Sequence, residues 1–264
     1  MKNNSENLLT FGEHLDVLRK MLFRIIIVLV VLFISIFCFK EDIFMLLLAP
    51  AKNDFCLYRW VEGISSILNV NFSFDEMDVR FISTELSSQF MVHITSSLYL
   101  ALLLASPYIL YEFFLFVSPA LYDNERRYSV PILITVFILF AFGVLLSYFV
   151  LFPFSFRFLV SYQVDYMVEN RITLVSYIST FATMTLLMGL VFQLPVISFL
   201  LGKLGLITSY MLKECRKYAI LLIAIIAAII TPPDIVTCIL VMGPLYLLYE
   251  FSIWIVELME NKYQ

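Results

Sequence analysis

The segment 218–256 is the most informative about architecture: it reads YAILLIAIIAAII at 218–230, TPPD at 231–234 and IVTCILVMGPLYLLYEFSIWIV at 235–256. The two prolines remove two backbone donors, and the flanking Thr and Asp favour turns, so this apolar stretch cannot remain one straight helix. We predict two helices joined at 231–234. The first would rise only about 20 Å, which is short for a transmembrane helix. A re-entrant hairpin that never crosses the membrane is the alternative interpretation.

Four longer apolar runs precede this segment, and each is long enough to cross a bilayer, which takes about 20 helical residues. They lie at 21–39, 90–118, 128–153 and 172–202. The whole chain is 62% hydrophobic and 14% charged, with a mean hydropathy of +0.94, which excludes an ordinary soluble domain. We therefore predict an all-α integral membrane protein, with six transmembrane helices in a single domain over 1–264.

Positive charge is distributed unevenly between the loops on the two sides. With the N-terminus inside, the inner segments hold 11 Lys and Arg in 57 residues and the outer segments hold 6 in 74. Because Lys and Arg are retained on the cytoplasmic side, both termini are predicted to face the cytoplasm. The largest outer segment, 40–89, mixes apolar residues with eight acids, so we expect short helices that cap the outer mouth, with Pro50 turning the chain.

The segment before the first span has helical periodicity. An apolar stripe is formed by five residues, Leu8, Phe11, Leu15, Leu18 and Leu22, and Thr10 with Glu13 has the form of a capping box. The opposite side carries charged residues, namely Glu13, Asp16, Lys20 and Arg24. An interfacial helix with lipid on one side and water on the other is the simplest interpretation. Val17 does not fit it, because it lies among the charges.

Three polar residues fall inside the apolar runs, where an ionised side chain costs about 2.5–3.5 kcal/mol. They are Glu112, Gln193 and Glu250, and we expect each to have a partner or a function, with an interfacial location as the alternative for the two glutamates. Both glutamates belong to a recurring sequence, YILYEF at 108–113 and YLLYEF at 246–251. Six residues in so biased a composition are weak evidence of duplication.

Several functional classes are not supported. The four cysteines have no metal-ligand spacing and are expected to be free thiols, and His93 is expected at the outer interface. No catalytic motif is recognisable, so we expect neither an enzyme nor a cofactor or metal. The net charge of −4 and the lack of long basic runs argue against a nucleic-acid partner.

Six motifs, taken in order, resemble those of the TatC family over nearly the whole chain. They are FGEHLDVLRKML at 11–22, LAP at 48–50, F-x-x-PALY at 116–122, NERR at 124–127, FQLP at 192–195 and TPPD at 231–234. The resemblance implies a glove-shaped bundle with short fifth and sixth spans, which is the receptor core of the twin-arginine protein translocase in the cytoplasmic membrane. It also implies binding of twin-arginine signal peptides of folded cargo, and export with TatA- and TatB-type single-span partners driven by the proton-motive force. Self-association in a receptor complex is implied as well.

The resemblance also implies roles for individual residues. Glu125 corresponds to the family's acidic contact for the arginine pair, and a carboxylate accepts a guanidinium bidentately. Arg19 and Arg127 match further positions that the resemblance assigns to signal-peptide binding. Other positions that matter in the family are matched by Pro50, Phe116, Gln193 and Asp234.

One position departs from the family pattern. The family has a second signal-binding glutamate where this chain has Val17. We hypothesise that Glu13 or Asp16, which lie within about one helical turn of it, supplies the second anion.

Two other functional classes stay open from the residues alone. A secondary transporter would have paired broken helices, a midplane ion site and a convincing internal repeat. In a purely structural assembly subunit, Glu125 would be a surface residue without a role in binding.

Overall fold

A computed structural model describes residues 11–67, 79–117, 129–162, 165 and 171–263. Within these ranges the chain is helical, apart from short connections and an isolated β-bridge between Ile82 and Thr173. The eleven α-helices of the described part are α1 Phe11–Phe37, α2 Lys40–Leu48, α3 Cys56–Ile67, α4 Ser88–Val117, α5 Ser129–Leu146, α6 Phe152–Ser161, α7 Leu174–Val191, α8 Leu194–Lys203, α9 Ser209–Glu214, α10 Arg216–Ile230 and α11 Ile235–Tyr263.

The apolar helices confirm the predicted class, an all-α membrane protein. Among the described residues, five helical segments are long and apolar enough to cross a bilayer. They are Leu15–Phe37, Ser88–Phe113, Pro131–Ser161, Leu174–Lys203 and Ile235–Asn261. The sixth candidate is α10, whose 15 residues rise about 22 Å. It ends at Ile230 and α11 begins at Ile235, on either side of the Thr-Pro-Pro-Asp segment.

The third apolar segment extends eight residues beyond the end predicted at Pro153. A π-helical turn, Ser147–Leu151, joins α5 to α6, and Pro153 lies in the first turn of α6. Proline disrupts a regular α-helix because its ring clashes with the preceding turn. The wider π-turn accommodates this defect, so the helix continues to Ser161. Arg157, expected in the outer loop, therefore lies on this helix and is buried.

Close packing of α5 on α7 forms the centre of the bundle. A Cβ atom added at Gly143 would lie 2.8 Å from the Met188 carbonyl oxygen, and one at Gly189 would lie 2.8 Å from the Phe140 ring. The two glycines are thus required for the close approach of the helices, as small residues commonly are between membrane helices. Next to this contact, the Phe152 ring packs edge-on against Phe181, with 4.8 Å between centroids.

The described part of the outer segment is folded, as expected, into α2, a 3-10 turn at Ala49–Ala51 and α3. The Tyr58 hydroxyl lies 3.1 Å from two backbone carbonyl oxygens, those of Pro50 and Pro153. The Arg157 guanidinium lies over the Tyr58 ring, 4.6 Å from its centroid. Tyr58 therefore ties the turn at Pro50 to the start of α6.

The connection between α8 and α10 is fastened to α11 by polar contacts. The Lys213 ammonium lies 2.7 Å from the Glu257 carboxylate, and the Ser209 amide donates to Glu260 at 2.9 Å. The Tyr249 hydroxyl donates to the Leu212 carbonyl at 2.6 Å. This connection is thus held against the end of α11.

Candidate functional site

The middle of α1 and the end of α4 are joined by an arrangement that we call the α1–α4 clamp, formed by Arg24, Tyr108 and Glu112. The Arg24 Nη2 atom donates to Glu112 Oε2 at 2.9 Å, and the Tyr108 hydroxyl donates to Glu112 Oε1 at 2.7 Å. The Glu112 side chain is 4% exposed and the Arg24 side chain is 56% exposed. Both oxygens of a buried carboxylate are therefore paired, as a buried charge requires.

The recurring YxLYEF sequence forms the same arrangement a second time. Arg216 Nη2 donates to Glu250 Oε2 at 2.8 Å, and the Tyr246 hydroxyl donates to Glu250 Oε1 at 2.9 Å. The Glu250 side chain is 31% exposed. Glu112, in contrast, is buried by the protein. We call the second arrangement the α10–α11 clamp.

The charged face of α1 lies on its first turns, before the α1–α4 clamp. Asp16, Val17, Arg19 and Lys20 are exposed there, and the Val17 side chain is 40% exposed. Position 13 belongs to the same helix, but its side chain, together with Glu125 and Arg127, lies outside the described residues. Phe116 is half-buried near the end of α4, just before the segment that carries Glu125.

Gln193 occupies a break in the helix between α7 and α8. The side-chain amide donates to the Val136 carbonyl on α5 at 3.1 Å. Its Oε1 atom is buried and has no hydrogen-bond partner among the described residues. Pro195, in the first turn of α8, explains the break, because it cannot donate in the helix ladder.

Two other residues singled out by the sequence have structural roles. Asp234 caps α11: its Oδ1 atom accepts from the Thr237 amide at 2.7 Å, and its Oδ2 atom accepts from the Thr237 hydroxyl. A carboxylate there satisfies a free donor and faces the positive end of the helix dipole. Pro50 is buried, and its carbonyl is the acceptor for Tyr58.

Tyr58 and Arg157 form an interaction that the sequence did not predict. Burial raises the pKa of the Tyr58 hydroxyl to about 12, although the positive charge of Arg157 opposes the rise. The one available signal was an arginine within the apolar stretch FPFSFRFLV at 152–160. Buried arginines are rare unless they are paired.

The titratable groups are arranged for structure and recognition. In the part of the chain that the structure describes, no three His, Cys, Asp or Glu residues are grouped to hold a metal ion. Cys38, Cys56 and Cys215 are exposed free thiols and Cys238 is a half-buried one. The ring of His93 stacks on Phe37 at 4.1 Å between centroids.

The comparisons with known proteins agree with the fold. The family model described as Sec-independent protein translocase protein (TatC) matches residues 13–244. A relative from Blattabacterium sp. subsp. Periplaneta americana, named Sec-independent protein translocase protein TatC, is 36% identical over 256 residues, or 96% of each chain. Another of the same name, from Desulforapulum autotrophicum, is 36% identical over 243 residues, covering 92% of this chain and 82% of the relative.

A solved structure described as the twin-arginine translocase receptor TatC is also similar. The TM-score is 0.74 at 31% sequence identity, over 93% of this chain and 98% of that one. Fold and matches together define a multi-pass membrane component of a protein translocase, which is a transport protein and not an enzyme. The chain belongs to the TatC family.

Proposed function

We propose that this chain is the receptor and core subunit of a twin-arginine translocase. It binds the twin-arginine signal peptides of folded proteins and, with TatA- and TatB-type partners and the proton-motive force, exports them across the cytoplasmic membrane. The observation that carries the proposal is the likeness, over 93% of the chain, to the solved twin-arginine translocase receptor TatC. Self-association of the chain in the receptor complex belongs to the same proposal.

The proposed peptide site lies between the charged face of α1 and the segment after α4. Glu125 accepts the guanidinium groups of the signal peptide, because a carboxylate and an arginine form paired charge-assisted hydrogen bonds. Arg127, two residues further along the chain, and Arg19, on the charged face of α1, orient the peptide in this proposal. The clamp between Arg24 and Glu112 supports this location, since it joins the two elements that carry the site.

The second anion of the site is best supplied by Glu13. Met21 and Ile25 are buried, and α1 packs chiefly against α4, so these two residues mark the side of α1 that faces α4. At about 100° per residue, Asp16 lies about 160° from their mean direction, on the far side of the helix. Position 13 lies about 100° from the same direction, and it is about 20° from Arg24, which reaches Glu112 on α4, whereas Asp16 is about 80° from Arg24. Asp16 is the alternative.

The proposed orientation places both termini in the cytoplasm, with α10 as the short fifth span and α11 as the sixth. Two native cysteines test it, because Cys56 and Cys215 are both exposed and are expected on opposite sides. In intact cells, a membrane-impermeant maleimide should label a variant that retains only Cys56. A variant that retains only Cys215 should be labelled only after the membrane is opened. The reverse pattern would overturn the orientation.

Replacing the proposed arginine acceptor tests the receptor role. Glu125→Gln keeps the shape of the side chain and removes its charge, so it should abolish capture of twin-arginine peptides and export of their cargo. Glu85→Gln, which changes an exposed acid in the outer segment, is the matched control and should have no effect. Full export by the Glu125 variant would argue for a structural subunit. Gradient-driven solute uptake into liposomes would argue for a transporter.

A further inference from the structure

We propose that the α1–α4 clamp is a positioning device for the signal-peptide site, an inference that rests on the proposed function. Glu112 lies five residues before Val117, the last residue of α4. The two residues are therefore about 8 Å apart along the helix axis. Arg24 lies seven residues after Val17, which is two turns or about 10 Å. The ion pair is therefore close to both parts of the proposed site. It sets the position of α1 relative to α4 along the helix axes.

The packing of α1 explains why such a device is needed. Only 6% of the α1 span is buried inside the protein, against 44% of the α4 span. Met21 and Ile25 are buried, whereas Phe23, Ile26 and Ile27 are at least half exposed. Apolar contact is non-directional, so one narrow buried stripe defines the rotation and height of α1 poorly. A charge-assisted hydrogen bond has a preferred length and direction and defines both.

The position of Arg24 around the helix determines what the clamp orients. Val17 and position 13 lie about 20° to either side of Arg24, so the three share one stripe of α1. Holding Arg24 against Glu112 therefore turns position 13, and the position of the missing family acid, toward the end of α4. Without the clamp, α1 can rotate or slide on α4, and the charged face of α1 loses its fixed position relative to the end of α4.

The chain contains its own control. The α10–α11 clamp has the same three residue types, with an ion pair of 2.8 Å instead of 2.9 Å. It joins helices that do not carry the proposed peptide site. Neutralising Glu250 or Arg216 should therefore leave peptide affinity unchanged, whereas the same changes at Glu112 or Arg24 should reduce it.

Arg24→Gln discriminates between a positioning role and a simple charge effect. If Arg24 acted only through its positive charge, its removal would strengthen binding of a cationic peptide. The positioning role predicts the opposite, a loss of about tenfold in affinity. The double variant Arg24→Gln with Glu112→Gln leaves no unpaired buried charge, so it should stay folded and still bind weakly. The exchanged pair Arg24→Glu with Glu112→Arg should bind within about threefold of the unmodified chain.

The experiment measures binding of a fluorescent twin-arginine peptide, and of its Lys-Lys counterpart, to the full chain in detergent. Spin labels at positions 23 and 115, two exposed residues to which no role in peptide binding is assigned, in a chain without its native cysteines, report the distance between α1 and α4. We expect a narrow distance distribution in the parent chain and a broad one in the neutral variants. In the exchanged pair the distribution should be narrow again. Peptide affinity should be high where the distribution is narrow and low where it is broad.

Three results would overturn the proposal: tighter peptide binding by Arg24→Gln, unchanged affinity of the double variant, or an exchanged pair that regains the distance without regaining affinity. If the parent chain binds the two peptides equally well, the proposed receptor role is wrong. The measured distances still show whether the clamp fixes α1 against α4.

Discussion

The side-chain amide of Gln193 donates to the backbone carbonyl of Val136 at 3.1 Å and so connects the break between α7 and α8 to α5. The other polar atom of the side chain, Oε1, is buried and has no hydrogen-bond partner among the described residues. An unsatisfied buried acceptor costs about 1–3 kcal/mol, and a hydrogen bond between membrane helices contributes about 0.6 kcal/mol. The bond to Val136 is therefore a small contribution to stability, and a substitution can separate it from a role in export.

Gln193→Leu should keep or raise the stability of the protein while it impairs export. Leucine has a similar size and removes both the hydrogen bond and the unsatisfied acceptor. The midpoint of thermal unfolding in detergent should not fall. Thr135→Val is the control, because Thr135 is exposed and bonds only within its own helix. A loss of more than about 1 kcal/mol in Gln193→Leu would show that the amide is structural.

Tyr58→Phe should destabilise the outer cap and change its response to alkali. The variant loses the one hydrogen bond that the Tyr58 hydroxyl shares between the Pro50 and Pro153 carbonyls, worth about 1 kcal/mol. Because the pKa of Tyr58 rises from 10.0 to about 12 on folding, the neutral phenol is favoured in the folded state. The contribution of Tyr58 is thus complete below pH 10 and is lost as the pH rises toward about 12.

Unfolding midpoints measured between pH 8 and about 12 test this directly. The difference between the parent chain and Tyr58→Phe should shrink as Tyr58 ionises. Tyr162→Phe is a suitable control, because Tyr162 is exposed. A difference that does not depend on pH would contradict the role given to the Tyr58 hydroxyl.

Asp234→Ala and Asp234→Asn should have different effects, although both remove the charge. Alanine removes the cap of α11 and should cost about 0.5–2 kcal/mol, whereas asparagine keeps a side-chain acceptor for the Thr237 amide. Unfolding in detergent measures the difference, and export shows whether stability accounts for the importance of this position. If asparagine restores stability but not export, the carboxylate itself has a function.

The features that the sequence predicted are those that depend on local chemistry. The Pro-Pro pair separates α10 from α11, and the apolar runs identify the membrane helices. The partners of Arg24 and Arg157 could not be predicted, because Glu112 and Tyr58 are 88 and 99 positions away and meet them only through helix packing. The helix beyond Pro153 was missed because a π-turn depends on its surroundings as well as on the proline.

The second anion of the peptide site can be identified by two matched substitutions. Glu13→Gln should weaken binding of a twin-arginine peptide more than Asp16→Asn, because Asp16 lies on the side of α1 away from α4. Val17→Glu should tighten binding, since it adds the family acid on the Arg24 stripe. Titration with a fluorescent peptide measures all three. A larger effect of Asp16→Asn would assign the anion to Asp16, and no effect of either change would mean that the site has one acid.

The receptor role is tested most directly by crosslinking from position 17. A photoreactive benzophenone residue there replaces an exposed valine and removes no charge. In inverted membrane vesicles that contain the full chain, it should crosslink to a twin-arginine peptide and not to the Lys-Lys peptide, and Glu125→Gln should abolish the product. The same probe at Phe23, an exposed residue on another face of α1, should give no peptide product. Equal crosslinking of both peptides, or a product that survives Glu125→Gln, would contradict the account.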